Sequence, residues 1–285
     1  MSRIMQEIPV RKGNVNSNES IFAIKDVKKM LGGKRMTQNL HRHDFFFLLA
    51  LEQGSGFHEI DFIPYDVCAY SIFVLRPGQV HQLTLNKEST GYLLNFNANS
   101  YVAHDRVKVA LLRKISNLNC YQFDSNGFKK SISVLEAIFQ EFTNKDEGHQ
   151  EVINANLSIL LTELSRKIGK DHRGNGTPYS QERLEEFLEL LETHCITHKR
   201  AAQYAEMMNL SLYQLNAITK STIGKTCSEL INEHIILEAK RYLLATSNQV
   251  SSIAYDLGYD DASYFIRFFK KHMGCSPKVF RHNFR

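Results

Sequence analysis

Two runs of residues in the last third of the chain carry side chains suited to reading nucleic-acid bases. Tyr213, Asn216, Ala217 and Lys220 recur at the spacing of one helix face, and Ala262, Ser263, Ile266, Arg267, Lys270 and Lys271 do the same further on. Arg forks onto guanine, Asn pairs with adenine, and Ala or Ile meets the thymine methyl. Lys suits phosphate, which gives Lys220, Lys270 and Lys271 a positioning role. A separate set near the N-terminus, His41, His43, Arg76 and His81, offers imidazole and guanidinium groups that can hydrogen-bond a ligand or simply their own domain.

The two base-reading runs sit in a repeat. Ala205 to Leu215 aligns with Ala254 to Phe265, and Gly224 aligns with Gly274. The offset is 49 residues before the turn and 50 after it, so the second turn holds one extra residue. Each copy reads as a first helix with an Ala, a polar or Gly turn, a second helix and a Gly stop. That is the layout of a module that docks one helix in a DNA major groove, and two copies imply two grooves. In the first copy Leu212, Leu215 and Ile218 are expected to point inward. In the second Asp261 caps the reading helix and Phe265, Phe268 and Phe269 face the core. Thr226 and Glu229 form a capping box opening a helix that runs to about Ala245. At about 1.5 Å per residue it spans roughly 27 Å, enough with packing at each end to hold two modules at the roughly 34 Å spacing of successive grooves.

Residues 1–19 are polar and are expected to form a mobile arm. From 20 to 125 short apolar runs broken by turn residues, among them Phe45 to Leu51, Phe57 to Phe62, Ser71 to Leu75, His81 to Leu85 and Tyr92 to Phe96, predict an antiparallel barrel or double-sheet roll able to hold one ligand. Over 126–168 the period becomes helical. Phe128, Ile132, Leu135, Phe139 and Phe142 mark one helix, and Ile153, Leu157, Leu160, Leu164 and Ile168 a second whose stripe resembles a short coiled-coil seam. That seam is read as a dimer face, with packing on the chain's own barrel as the alternative. Residues 169–179 read as a flexible linker and 180–285 as an all-helical domain with Ser180 as its first N-cap.

Composition narrows the function classes. The net charge of +5 permits nucleic-acid binding, yet residues 180–285 hold 13 Lys and Arg against 12 Asp and Glu. Local distribution says more: no acid follows Asp261, whereas Arg267, Lys270, Lys271, Lys278, Arg281 and Arg285 do. The odd, dispersed Cys68, Cys120, Cys195, Cys227 and Cys275 read as buried thiols and exclude a disulfide framework. With no apolar run of membrane-spanning length and no signal segment, a soluble, cytoplasmic chain with no membrane association is expected.

The segments Ile253 to Tyr259, Ser263 to Lys271, Gly274 to Arg281 and Ala239 to Leu244 strongly resemble the AraC/XylS family of bacterial transcriptional regulators. The resemblance is specific over 180–285 and diffuse before it. It implies an α+β multi-domain chain: a cupin-like β-barrel with a helical dimerisation segment, then a two-module DNA-binding domain. It further implies a homodimer on double-stranded DNA that activates a promoter in contact with RNA polymerase, under control of a small-molecule effector, commonly a sugar. His234 stands where related chains often carry Arg, so a phosphate contact there is in question. His41, His43 and the Phe73 to His81 stretch also look like the two motifs of a cupin barrel. In metal cupins a Glu completes the set, because imidazole and carboxylate together suit a divalent transition metal. Here that position is Phe47 or Leu48, so no metal or other cofactor is expected. The competing class is a cupin-type metal-dependent enzyme fused to a DNA-binding domain, against which the missing Glu counts. A DNA-alkylation repair protein would need a reactive Cys near the N-terminus, and the first is Cys68.

Overall fold

The computed structural model describes residues 10–11, 22–97, 101, 106–171 and 177–284. They divide into two compact units, one ending at residue 171 and the other beginning at 177.

The N-terminal unit is built on two five-stranded sheets. The first runs in the order β1 (Val10–Arg11), β3 (Met36–His43), β8 (Val80–Leu85), β5 (Gly56–Ile60), β6 (Ile63–Val67). The second runs β10 (Cys120–Gln122), β7 (Ser71–Leu75), β4 (Phe46–Gln53), β9 (Thr90–Phe96), β2 (Phe22–Asp26). Strands β4 and β7 are apolar at consecutive positions because both their faces are covered. Phe47, Leu49, Leu51, Phe73 and Leu75 join Ile60, Leu83 and Leu85 of the first sheet in one core. Leu48, Ala50, Ile72 and Val74 face the other way, into a core closed by helices.

Those helices are α2 (Arg106–Ser116), α3 (Ser125–Asn144) and α4 (His149–Asp171); the short α1 (Val27–Leu31) belongs to the first core. Ile153, Leu157, Leu160 and Leu164 of α4 are buried against Leu135 and Ile138 of α3 and the outer face of the second sheet. The stripe read as a dimer seam is therefore covered within its own chain. A helical period reveals an apolar stripe but not what lies on it. Two boundaries also move. Val10–Arg11 pairs in parallel with Arg42 and His43, inside the expected arm, whose other residues lie outside the described ones. The expected linker is helical at both described ends, since α4 runs to Asp171 and α5 (Pro178–His194) begins after an N-cap at Thr177, not Ser180.

The C-terminal unit is all-helical: α5, α6 (Ala201–Met207), α7 (Leu212–Ile223), α8 (Cys227–Ala245), α9 (Val250–Asp256), α10 (Ala262–Met273) and α11 (Pro277–Asn283). Its repeat is structural. Leu210 N donates to Ala205 O at 2.8 Å and Tyr259 N to Ala254 O at 2.9 Å, an offset of 49. Caps Ser211 and Asp261 follow, an offset of 50, and Gly224 and Gly274 close the second helices with φ of 75° and 74°. Left-handed C-caps of this kind favour glycine. Thr226 and Glu229 form the capping box of the 19-residue α8, about 28 Å long at 1.5 Å per residue. All five cysteines are free thiols, with Cys195 and Cys227 buried, Cys120 and Cys275 half-buried, and Cys68 exposed, which corrects the expectation for Cys68. No helix among the described residues is long and apolar enough to cross a membrane.

Candidate functional site

Helices α7 and α10 are held by their buried sides. Leu215, Ile218 and Thr219 anchor α7; Phe265 and Phe269 anchor α10, where Phe269 meets Phe280 of α11 with ring centroids 5.6 Å apart. Their opposite faces are open. On α7 these are Tyr213, which is 83% exposed, Ala217 and Lys220. On α10 they are Ser263, Ile266, Arg267, Lys270 and Lys271, with Ala262 half-buried at the first turn. Arg267 approaches Asp261 only loosely, at 3.9 Å, and both side chains are mostly in solvent. An exposed pair of this kind contributes little, so the guanidinium can turn to another partner.

Three sequence expectations change. Leu212, expected inside, is 43% exposed and joins the open face of α7. Phe268, expected in the core, is only half-buried and lies beside Tyr259 and His272. Asn216 is half-buried, and its Oδ1 accepts the backbone N–H of Cys227 at 3.0 Å, satisfying one of the orphan donors at the start of α8. Its amide ties the reading helix to the linking helix and engages one of the two groups that a bidentate pair with adenine uses. Arg281 also leaves the cationic set. It is buried, donating through Nε to Leu243 O and through Nη2 to Asn248 O, both at 2.8 Å. His234 is half-buried on α8.

In the N-terminal unit His41 and His43 alternate onto one face of β3. His81 of β8 stands directly opposite His41 in the register, and all three imidazoles are buried. A fourth, His58 of β5, was not singled out in the sequence. Its neighbour Ile60 pairs with His81, so His58 is the diagonal cross-strand neighbour, and its Nε2 lies 2.9 Å from His81 Nδ1. The available signal was its period-2 phase with Ile60. Burial, and secondarily the nearby His41, push the His58 imidazole down to about 3, which keeps it neutral. Phe45, Phe47 and Phe73 wall the cluster. Arg76 is half-buried in the β7–β8 turn, where its N–H donates to Gln79 Oε1 at 2.8 Å.

A two-sheet domain with a polar cluster in its interior, joined to an all-helical domain with a duplicated helix-turn-helix, defines the class of two-domain, effector-responsive DNA-binding regulators. Two family models match in the same order: "AraC-like ligand binding domain" over residues 34–102 and "Helix-turn-helix domain" over 204–283, together more than half of the chain. The chain belongs to the AraC/XylS family of transcriptional regulators. It is similar to the HTH-type transcriptional activator RhaS of Escherichia fergusonii, 24% identical over 245 residues, and of Escherichia coli strain SE11, 26% identical over 247 residues. Each alignment covers 85% of this chain and 86% of the relative. Among solved structures it is similar to ToxT of Vibrio cholerae, with TM-score 0.44 and 19% identity over 93% of this chain and 95% of that one.

Proposed function

We propose that the chain is a sequence-specific transcriptional regulator that reads two successive major grooves of double-stranded DNA with α7 and α10, under control of a small molecule bound in the N-terminal unit. One observation carries this reading: the capped turn-and-helix recurs at the same offset in sequence and hydrogen bonding, and each copy leaves the outer face of its second helix open. Tyr213, Ala217, Ala262, Ser263, Ile266 and Arg267 are assigned to base edges, and Lys220, Lys270 and Lys271 to phosphates. The protein acts in the cytoplasm, as a regulator and not as an enzyme. It forms a homodimer and works in contact with RNA polymerase. The dimer face is assigned to the outer side of α4, where Val152 and Ile159, seven residues apart, are 41% and 46% exposed. The effector is assigned to the interior of the two-sheet domain beside His41, His43 and His81.

Selection of binding sites from a randomised DNA library tests the readout. Arg267→Ala is expected to cost about 1–3 kcal/mol and to relax preference at one base pair. Lys270→Ala is expected to weaken all sequences alike and lower the salt slope by about one unit. A uniform loss for Arg267→Ala, with every base preference intact, would move Arg267 to the phosphate backbone.

A further inference from the structure

We infer that His41, His43 and His81 form a tris-imidazole site for one divalent transition-metal ion of the zinc class. Each offers a ring nitrogen, the three nitrogens lie within 4.8 Å of one another, and all three residues are buried. Three imidazoles around one Zn²⁺, at about 2.0–2.1 Å each, would stand roughly 3.3 Å apart in a tetrahedral arrangement. Small side-chain rotations close the difference. The sequence argued against a metal because a carboxylate was missing. A tris-imidazole set needs none, since three neutral His with an open fourth position are a sufficient zinc ligand set.

What surrounds the three rings favours ligation over mere packing. The β3–β8 register is irregular between Gln38 and His41, and there His41 Nδ1 donates to Asn39 O at 2.6 Å. A carbonyl can only accept, so the proton is fixed on Nδ1 and the lone pair belongs to Nε2. His81 Nδ1 lies 2.9 Å from His58 Nε2, and in the tautomer in which His81 Nδ1–H donates, its own Nε2 carries the lone pair. Ligating His residues characteristically donate their other N–H to such a group, which fixes tautomer and ring orientation. The ring centroids of His41 and His81 are 4.3 Å apart and those of His43 and His81 5.0 Å. Phe45, Phe47 and Phe73 give the cluster an apolar shell, and such a shell controls solvent access to an ion held there. His58 is a positioning residue, not a ligand.

The site rests on the imidazole geometry alone and does not depend on the DNA-reading assignment. The full-length chain, stripped with chelator, is titrated with Co²⁺ and followed by its d–d absorption, with operator binding measured in parallel. The expected result is saturation at one ion per chain without a thiolate charge-transfer band. Binding should be lost in His43→Gln and His81→Gln, and weakened by about 10–100-fold in His58→Gln with the stoichiometry kept. No saturable band in the wild-type chain, or equal binding in His43→Gln and His81→Gln, overturns the inference. Should either variant fail to fold, X-ray absorption of the cobalt-loaded wild-type chain decides: three imidazole nitrogens around the metal support the site and fewer overturn it. Loss of operator binding with metal binding intact would tell against the DNA reading only.

Discussion

Leu160→Glu is expected to unfold the N-terminal unit rather than release a folded monomer. Leu160 is fully buried in the core shared by α3, α4 and the outer face of the second sheet. An uncompensated carboxylate in such a place costs about 3–5 kcal/mol, a large part of the roughly 5–15 kcal/mol that holds a domain together. Thermal unfolding followed by circular dichroism should show the midpoint of that unit falling by roughly 10 °C or more. Ile159→Glu, one residue away on the solvent side, should change stability by no more than about 0.5 kcal/mol. If the dimer face proposed on the outer side of α4 is used, only this second substitution shifts sedimentation from dimer to monomer with the fold intact. A stable, folded Leu160→Glu monomer would mean that the stripe is an interface after all.

Gly258→Ala is expected to damage the second module far more than Asn209→Ala damages the first. The two residues occupy equivalent turns and both have positive φ, 76° and 53°. Backbone conformation alone therefore does not require glycine, since Asn is accommodated at 209, and moving Ala into this region costs about 1–2 kcal/mol. Contact makes the difference. A Cβ at 258 would stand 1.9 Å from the carbonyl oxygen of Ile196 and 2.8 Å from Lys199 Nζ. That lysine is itself fixed, donating to Ile196 O at 2.5 Å and lying 5.0 Å over the Tyr259 ring. The turn of the second module thus sits directly against the segment joining α5 to α6 of the first. Gly258→Ala should cost about 3 kcal/mol or more, and Asn209→Ala about 1 kcal/mol. Equal small losses in thermal melts of the two variants would mean that the contact yields easily.

The C-terminal unit was legible because its signals are local. Caps, glycine stops and the 3.6-residue period act within a few residues of where they are read, so the repeat and the ends of α7, α8 and α10 follow from the residue types. The N-terminal unit was legible in its buried strands and obscure at its edges. Strand β6 holds Pro64, which reads as a break, yet β6 is an edge strand, where proline is tolerated. Strand β3 ends in the polar run that carries His41 and His43, and its alternation is interrupted by the irregularity before His41. Helix α2 lies inside the 20–125 stretch, whose pattern reads as barrel. Of the site residues, Arg267, Lys270 and Tyr213 stand on open faces, as the helical period implies. Asn216 does not, because its partner is the backbone of α8, a contact that helical spacing does not reveal. His58 is not legible as a site residue because its relation to His81 runs across two strands.

The claim that one chain reads two grooves is tested most directly by guanine N7 methylation interference on a binding site selected by the full-length protein. A 19-residue α8 between the modules fixes their separation, so the account predicts, for each bound chain, two clusters of interfering guanines about 10 base pairs apart on one face of the duplex. Arg267→Ala should erase interference at one guanine of one cluster and leave the other cluster unchanged. A single cluster per chain, or two whose separation varies from site to site, would contradict it.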